Sequence, residues 1–208
     1  MSRLKNLLLV AGLTLATSAQ SQPIIDFDAM PEPYQTVEID LDGDGTSEVA
    51  SAFTLNDRFG IVTIRPPETG GNWNIDAAFV VPINLSDFDT LEALPNGNLR
   101  IHWGCFACGR THNHRSVTVD WRDDIAQVIG YDDTYADRLF AAVFSCSVNF
   151  LTGDAIVVAD DIDETRELAT DTRSYPLSDL GDGHLPQVCS TAYERYNDDF
   201  MHEHFSDQ

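Results

Sequence analysis

The stretch Asp40-Leu41-Asp42-Gly43-Asp44-Gly45-Thr46-Ser47-Glu48 restricts the fold of this chain more than any other. Aspartates stand at every second position, glycines follow the second and third of them, and a further acid closes the run at the ninth residue. Short acidic side chains on a tightly turning backbone suit Ca²⁺, a hard cation that takes six to eight oxygens at about 2.3–2.6 Å. The pattern predicts carboxylate ligands from Asp40, Asp42 and Asp44, a main-chain carbonyl from Thr46, and a carboxylate or water-mediated ligand from Glu48. Gly45 falls where the chain must turn sharply and a Cβ would be obstructive. Asp-Gly repeats also make ordinary solvated turns, but the register of all these features favours a metal loop.

The flanks decide which kind of loop this is. An EF-hand needs helices on both sides and a glutamate at the twelfth position, where this chain has Ser51. Residues 35–39 and 49–55 instead alternate with period two, which predicts strands entering and leaving a β–loop–β hairpin. The hairpin resembles the calcium loops of FG-GAP and VCBS-type repeats, which join strands of β-propeller blades. The resemblance covers about twenty residues and occurs once, without the Phe-Gly-Gly-Ala-Pro signature, whereas a closed propeller needs several blades.

Residues 1–19 have the pattern of a secretory signal, with Arg3 and Lys5 ahead of an apolar stretch and Thr17-Ser18-Ala19 at its end. The apolar stretch falls short of the roughly 20 residues a membrane span needs, and no cysteine follows it to carry a lipid anchor. The expectation is a periplasmic or secreted domain over 20–208 with no membrane anchor. Without Arg3 and Lys5, ten arginines face 34 acids, a formal charge of −24. Such a surface repels nucleic acid and anionic membranes; on charge alone it favours solubility in a salty medium, with steering towards cationic partners, many secreted lysozymes among them, as the alternative. Four cysteines in an exported chain favour two disulfides. Three pairings are open, and the preferred one joins Cys105 to Cys108 and Cys146 to Cys189.

Apolar-alternating segments at 61–64, 77–83, 99–103, 116–121, 125–130, 141–150 and 154–158 are separated by turn signals such as Asn96-Gly97, Asp123-Asp124 and Thr152-Gly153. They predict a mainly β, antiparallel, meander- or sandwich-like single domain, with a short C-terminal helix within 191–205 and a surface loop over 160–182. Two segments, Val128-Ile129-Gly130-Tyr131-Asp132 and Ser147-Val148-Asn149-Phe150-Leu151-Thr152-Gly153, are similar to a pattern in small exported bacterial proteins. That group includes calcium-binding periplasmic immunity proteins that block peptidoglycan hydrolases. The resemblance implies an inhibitor with a cell-wall hydrolase as its protein partner. It carries over no catalytic residue, and Asn149 and Gly153 match only as strand-end and turn residues.

The run from His102 to His114 holds Trp103, Cys105, Phe106, Cys108, Arg110 and His112. Cys-x-x-Cys with nearby histidines offers zinc-ligand types, but His112 and His114 are two apart, against the spacing of about three to five usual in zinc fingers. A disulfide-closed hairpin tip is the preferred reading. Trp103, Phe106, Arg110 and His112 become candidate partner-binding residues, because aromatics and arginine dominate binding hot spots. The competing fate for each aromatic is the core. No Gly-x-Ser-x-Gly elbow, His-Glu-x-x-His motif or phosphate loop is present. Asp123-Asp124, Asp132-Asp133, His184, His202 and His204 have no distinguishing context. The sequence therefore points to a calcium-stabilised binding protein rather than an enzyme. The alternatives are a metal-dependent hydrolase built on His102, His112 and His114, and a structural calcium-binding surface protein.

Overall fold

The structure, a computed structural model, describes residues 32–56, 59–65, 77–81, 90–105, 109–159, 164–180 and 185–205. The proposed signal segment, the turn signals Pro66-Pro67 and Gly70-Gly71 of the sequence, Phe106, Cys108 and His184 lie outside them, as do the side chains of Cys105, His202 and His204.

Among the described residues, twelve strands form two antiparallel sheets. The smaller sheet contains β1 (Gln35–Ile39), β2 (Glu48–Asn56), β3 (Phe59–Arg65) and β4 (Ala77–Val81), in that order. The larger is a meander of β5 (Leu91–Ala93), β6 (Leu99–Cys105), β7 (Thr111–Arg122), β8 (Ile125–Asp137), β9 (Ala142–Asn149), β10 (Asp154–Ala159) and β11 (Glu164–Ala169). The two-residue β12 (Tyr175–Pro176) pairs with β8, and a single 3-10 turn follows at Leu177–Asp179. The helix α1 (Gln187–Phe205) ends the described chain. The mainly β, antiparallel single domain with one short C-terminal helix is as the alternation predicts.

Strand register explains how one face of the large sheet becomes core. Leu168, Ala155, Val148, Tyr131, Val117, Ile101 and Leu91 stand opposite one another across all seven strands. Facing residues share a side of the sheet, so this row is continuous, and all but Leu168 are buried. Strands β9 and β10 alternate cleanly, with Phe144, Cys146, Val157 and Ala159 inward. Two covers share this face. The small sheet contributes Ile39, Ala50, Ala52, Val62 and Ile64 to the same core, and α1 contacts β9 and β10. Tyr193 meets Tyr135 edge-on at 4.7 Å between ring centroids, and Tyr196 stacks on Phe144 at 5.4 Å.

The local turns follow their residues. Asp123 and Asp124 both adopt positive φ, 54° and 63°, as a two-residue hairpin between right-twisted strands requires. Asn149 Oδ1 accepts from the Leu151 N–H at 2.9 Å, and the Gly153 N–H donates to the Asn149 carbonyl at 2.8 Å. The two segments of the second resemblance are neighbours, Gly130 facing Asn149 and the Phe150 N–H donating to the Ile129 carbonyl at 2.9 Å. Ile129 is the extra residue of a bulge against β7.

The expected surface loop over 160–182 is a correction. It contains β11, β12 and the 3-10 turn. Glu164-Thr165-Arg166-Glu167-Leu168-Ala169 is an edge strand of polar, weakly β-prone residues, ordered by pairing with β10 rather than by its own propensity. The helix also begins earlier than expected, at Gln187.

Cys146 and Cys189 form a disulfide across a separation of 43 residues, joining β9 to α1. A loop of that size implies about 3–4 kcal/mol of stabilisation from restricting the unfolded chain. Replacing both cysteines with alanine should lower the urea-unfolding free energy by that amount. An unchanged free energy would mean that helix docking alone fixes α1.

Candidate functional site

The loop between β1 and β2 is the candidate metal centre. The two strands pair in antiparallel register from Gln35–Ala52 to Ile39–Glu48, so Glu48 enters from the start of β2 while Asp40 leaves the end of β1. One oxygen from each of Asp40, Asp42 and Glu48 lies within 4.8 Å of the others. That separation is about twice a Ca²⁺–oxygen bond length, so a single cation can touch all three. No other group of three acids, histidines or cysteines comes so close among the described residues.

The loop's own backbone orients these carboxylates. Asp40 Oδ2 accepts from the Gly45 N–H at 3.1 Å, Asp42 Oδ1 from the Asp44 N–H at 3.0 Å, and Glu48 Oε2 from the Leu41 N–H at 2.7 Å. Gly43 and Gly45 hold φ of 75° and 90°, a conformation disfavoured for residues with a Cβ. Leu41, the second loop residue, is buried in the common core and pins the loop to the domain. The second oxygen of Asp40, Oδ1, is buried with no hydrogen-bond partner. A buried carboxylate oxygen without a donor is costly, and a cation would satisfy it. Burial, reinforced by the charge of Asp42, raises the Glu48 pKa against the lowering effect of the Leu41 N–H. A bound cation would oppose that rise. On these grounds the residues fit a metal ion.

Of the five expected ligands, the structure brings three carboxylates together. Asp44 stands outside the trio, with Oδ1 accepting from the Thr46 N–H at 2.7 Å in a side-chain turn. Sequence reading missed the roles of Leu41 and of the β5–β6 turn. A Cβ at Gly97 would lie 3.7 Å from the Asp40 carbonyl, which places that turn against the loop.

The second candidate region divides between the faces of the large sheet. Trp103 lies on the core face and is 5 % exposed, so it cannot belong to a surface contact. The Arg110 guanidinium is about half exposed but already engaged, 2.5 Å from Asp137 Oδ2 and 4.7 Å from the centre of the Phe140 ring. Asp137 also accepts from the Leu139 N–H at 2.9 Å, and its hydrogen bond to Arg110 is the main reason its pKa is depressed. Arg110 thus fastens one hairpin end to the β8–β9 turn. Phe106 and Cys108 lie outside the described residues.

His102, His112 and His114 share the polar face of β6 and β7. The His102 and His114 rings stack at 5.2 Å, and His102 Nε2 lies 3.2 Å from Glu92 Oε2. Between them Gly104 faces His114, and a Cβ at Gly104 would collide with the Asn113 carbonyl. No metal-binding group among the described residues includes these histidines.

No family model matches the chain, and neither does a curated protein or a solved structure.

Burial first, and then His102, lowers the pKa of His114 below its ordinary 6.5. Between the lowered value and 6.5 the unfolded chain binds more protons than the fold. Stability is therefore complete above that window and lost as pH falls through it. The drop in melting temperature from pH 8 to pH 5 should be smaller in His114→Gln than in wild type. Equal drops would assign the acid sensitivity to other groups.

Proposed function

We propose that this protein is an exported, calcium-stabilised binding domain whose partner is a basic cell-wall hydrolase. The observation that carries the calcium reading is the trio Asp40, Asp42 and Glu48 around a buried, unpartnered Asp40 Oδ1. Its donors are all oxygens on one short glycine-bearing loop, a set that favours a hard cation over zinc. Calcium tolerates irregular oxygen cages at about 2.3–2.6 Å, whereas Mg²⁺ demands near-octahedral geometry at shorter distances. When bound, the ion would supply positive charge that holds the β1–β2 hairpin closed.

Export is supported by the charged and apolar pattern of residues 1–19 and by the Cys146–Cys189 disulfide, a bond that persists in oxidising compartments. No helix among the described residues is long and apolar enough to cross a membrane. The partner class rests on a formal charge of −22 over the whole chain and on the resemblance to periplasmic immunity proteins. For the hydrolase reading, His102, His112 and His114 share one face, but no group of three metal-binding side chains among the described residues includes them.

Calcium at a hundredfold excess over its Kd should add about 2.7 kcal/mol, raising the melting temperature by about 5–10 °C in a chain of this size. Chelation should remove the gain, and Asp42→Ala or Glu48→Gln should abolish the difference between the two conditions. Identical melting with calcium and with chelator would sink the calcium assignment.

The partner class is tested by surface-immobilised binding to a panel of basic peptidoglycan hydrolases. Association should be saturable, with an on-rate that falls steeply with salt, as electrostatic steering requires. Failure to bind any member would remove the partner and leave the calcium site standing.

A further inference from the structure

A cavity of about 950 Å³ lies between α1 and the β9–β11 end of the large sheet. We propose that it binds a small amphipathic carboxylate, an apolar chain or ring system bearing one anionic head.

The register builds the floor. Phe144 faces Ala159, and Val157 faces Arg166, which shares its side of β11 with Leu168. The roof is helical. Val188, Ala192 and Tyr196 recur every fourth residue as an apolar stripe, flanked by a polar stripe of Gln187, Thr191 and Arg195. The Cys146–Cys189 bond holds the helix over β9, while Ala159, Ala169 and Ala192 leave space towards β10 and β11. The cavity opens to solvent on one side, and its volume lies within the range of about 300–1,000 Å³ typical of small-molecule sites.

The charges specify the ligand. The chain carries 34 acids and only 12 lysines and arginines. Yet among the described residues the cavity is bordered by Arg166, Arg173 and Arg195 and by one acid, Asp171. Arg173 is held in place by donating Nη1 to the carbonyls of Thr170 and Thr172, at 3.0 and 3.2 Å. Three guanidinium groups at the rim of one apolar cavity suit an anionic head, and the planar guanidinium matches a carboxylate in two-point geometry. The apolar floor and helical stripe would hold the body of the ligand.

The test uses the oxidised full-length chain and dodecanoate below its micelle concentration, with dodecyltrimethylammonium and dodecanol as comparators. Calorimetry should show saturable one-to-one binding of dodecanoate, none of the cation, and weaker binding of the alcohol. Replacing Arg166 and Arg195 together with alanine should weaken dodecanoate binding at least about tenfold, the effect of losing one or more charge-assisted hydrogen bonds. Ala192→Trp should abolish binding while the calcium-dependent melting shift persists. If the tryptophan variant fails to fold, Val188→Phe takes its place. Equal binding of both charged amphiphiles, affinity indifferent to the arginine changes, or no saturable binding to wild type would overturn the proposal. So would a wild-type dimer lost in Ala192→Trp, which would assign the cavity to a second copy of this chain.

Discussion

The side-chain amide of Gln35 substitutes for a strand-to-strand ladder between the two sheets. Its Oε1 accepts from the N–H groups of Thr90 and Leu91, at 2.7 and 2.9 Å, and its Nε2 donates to the Leu91 carbonyl at 2.9 Å. Tyr34, one residue earlier, hydrogen-bonds through its hydroxyl to Thr90. Backbone groups at the start of an edge strand would otherwise need water, and here they are satisfied by the first strand of the other sheet. These contacts set where β1 sits, and therefore where the acidic loop emerges and where Leu41 can reach the core.

From that anchor the large sheet acquires a division along its length. One half of its apolar face is closed by a sheet, the other by a helix. A sheet packed on a sheet meets it broadly, whereas a helix meets a sheet along one stripe. Small residues beside that stripe leave volume at the β10–β11 edge, while Phe144, Tyr193 and Tyr196 fill the β9 side with aromatic contacts. The disulfide lies on the filled side, which keeps the helix at a fixed distance from the open one.

Acids dominate this chain, and the structure shows how differently they are used. Asp137 is neutralised by Arg110 and caps a turn. Asp133 takes hydrogen bonds from Arg115 at 3.3 Å and Tyr131 at 3.1 Å on the core side of the sheet. Asp44 shapes backbone. Among the described residues, only at Asp40, Asp42 and Glu48 do three carboxylates converge, an arrangement that like-charge repulsion disfavours unless a cation arrives.

The sequence by itself determined most of the described strands, the turns at Asn96-Gly97, Asp123-Asp124 and Thr152-Gly153, and the place of the acidic loop between two strands, because period-two alternation, Asp-Gly spacing and paired turn residues are local properties. Val37, Ile39, Phe144 and Val157 declared their buried faces through their immediate neighbours. The tertiary structure alone decided the rest. Whether Trp103 faced core or solvent depended on which side of β6 was covered, and whether Arg110 was available depended on Asp137, 27 positions away in the chain. β11 has no strand signal of its own and exists because β10 offers an unpaired edge. Arg166, Arg173 and Arg195, which border the helix cavity, are scattered between positions 166 and 195. No local pattern links them, since only the docking of α1 brings β11, the following turn and the helix to one place.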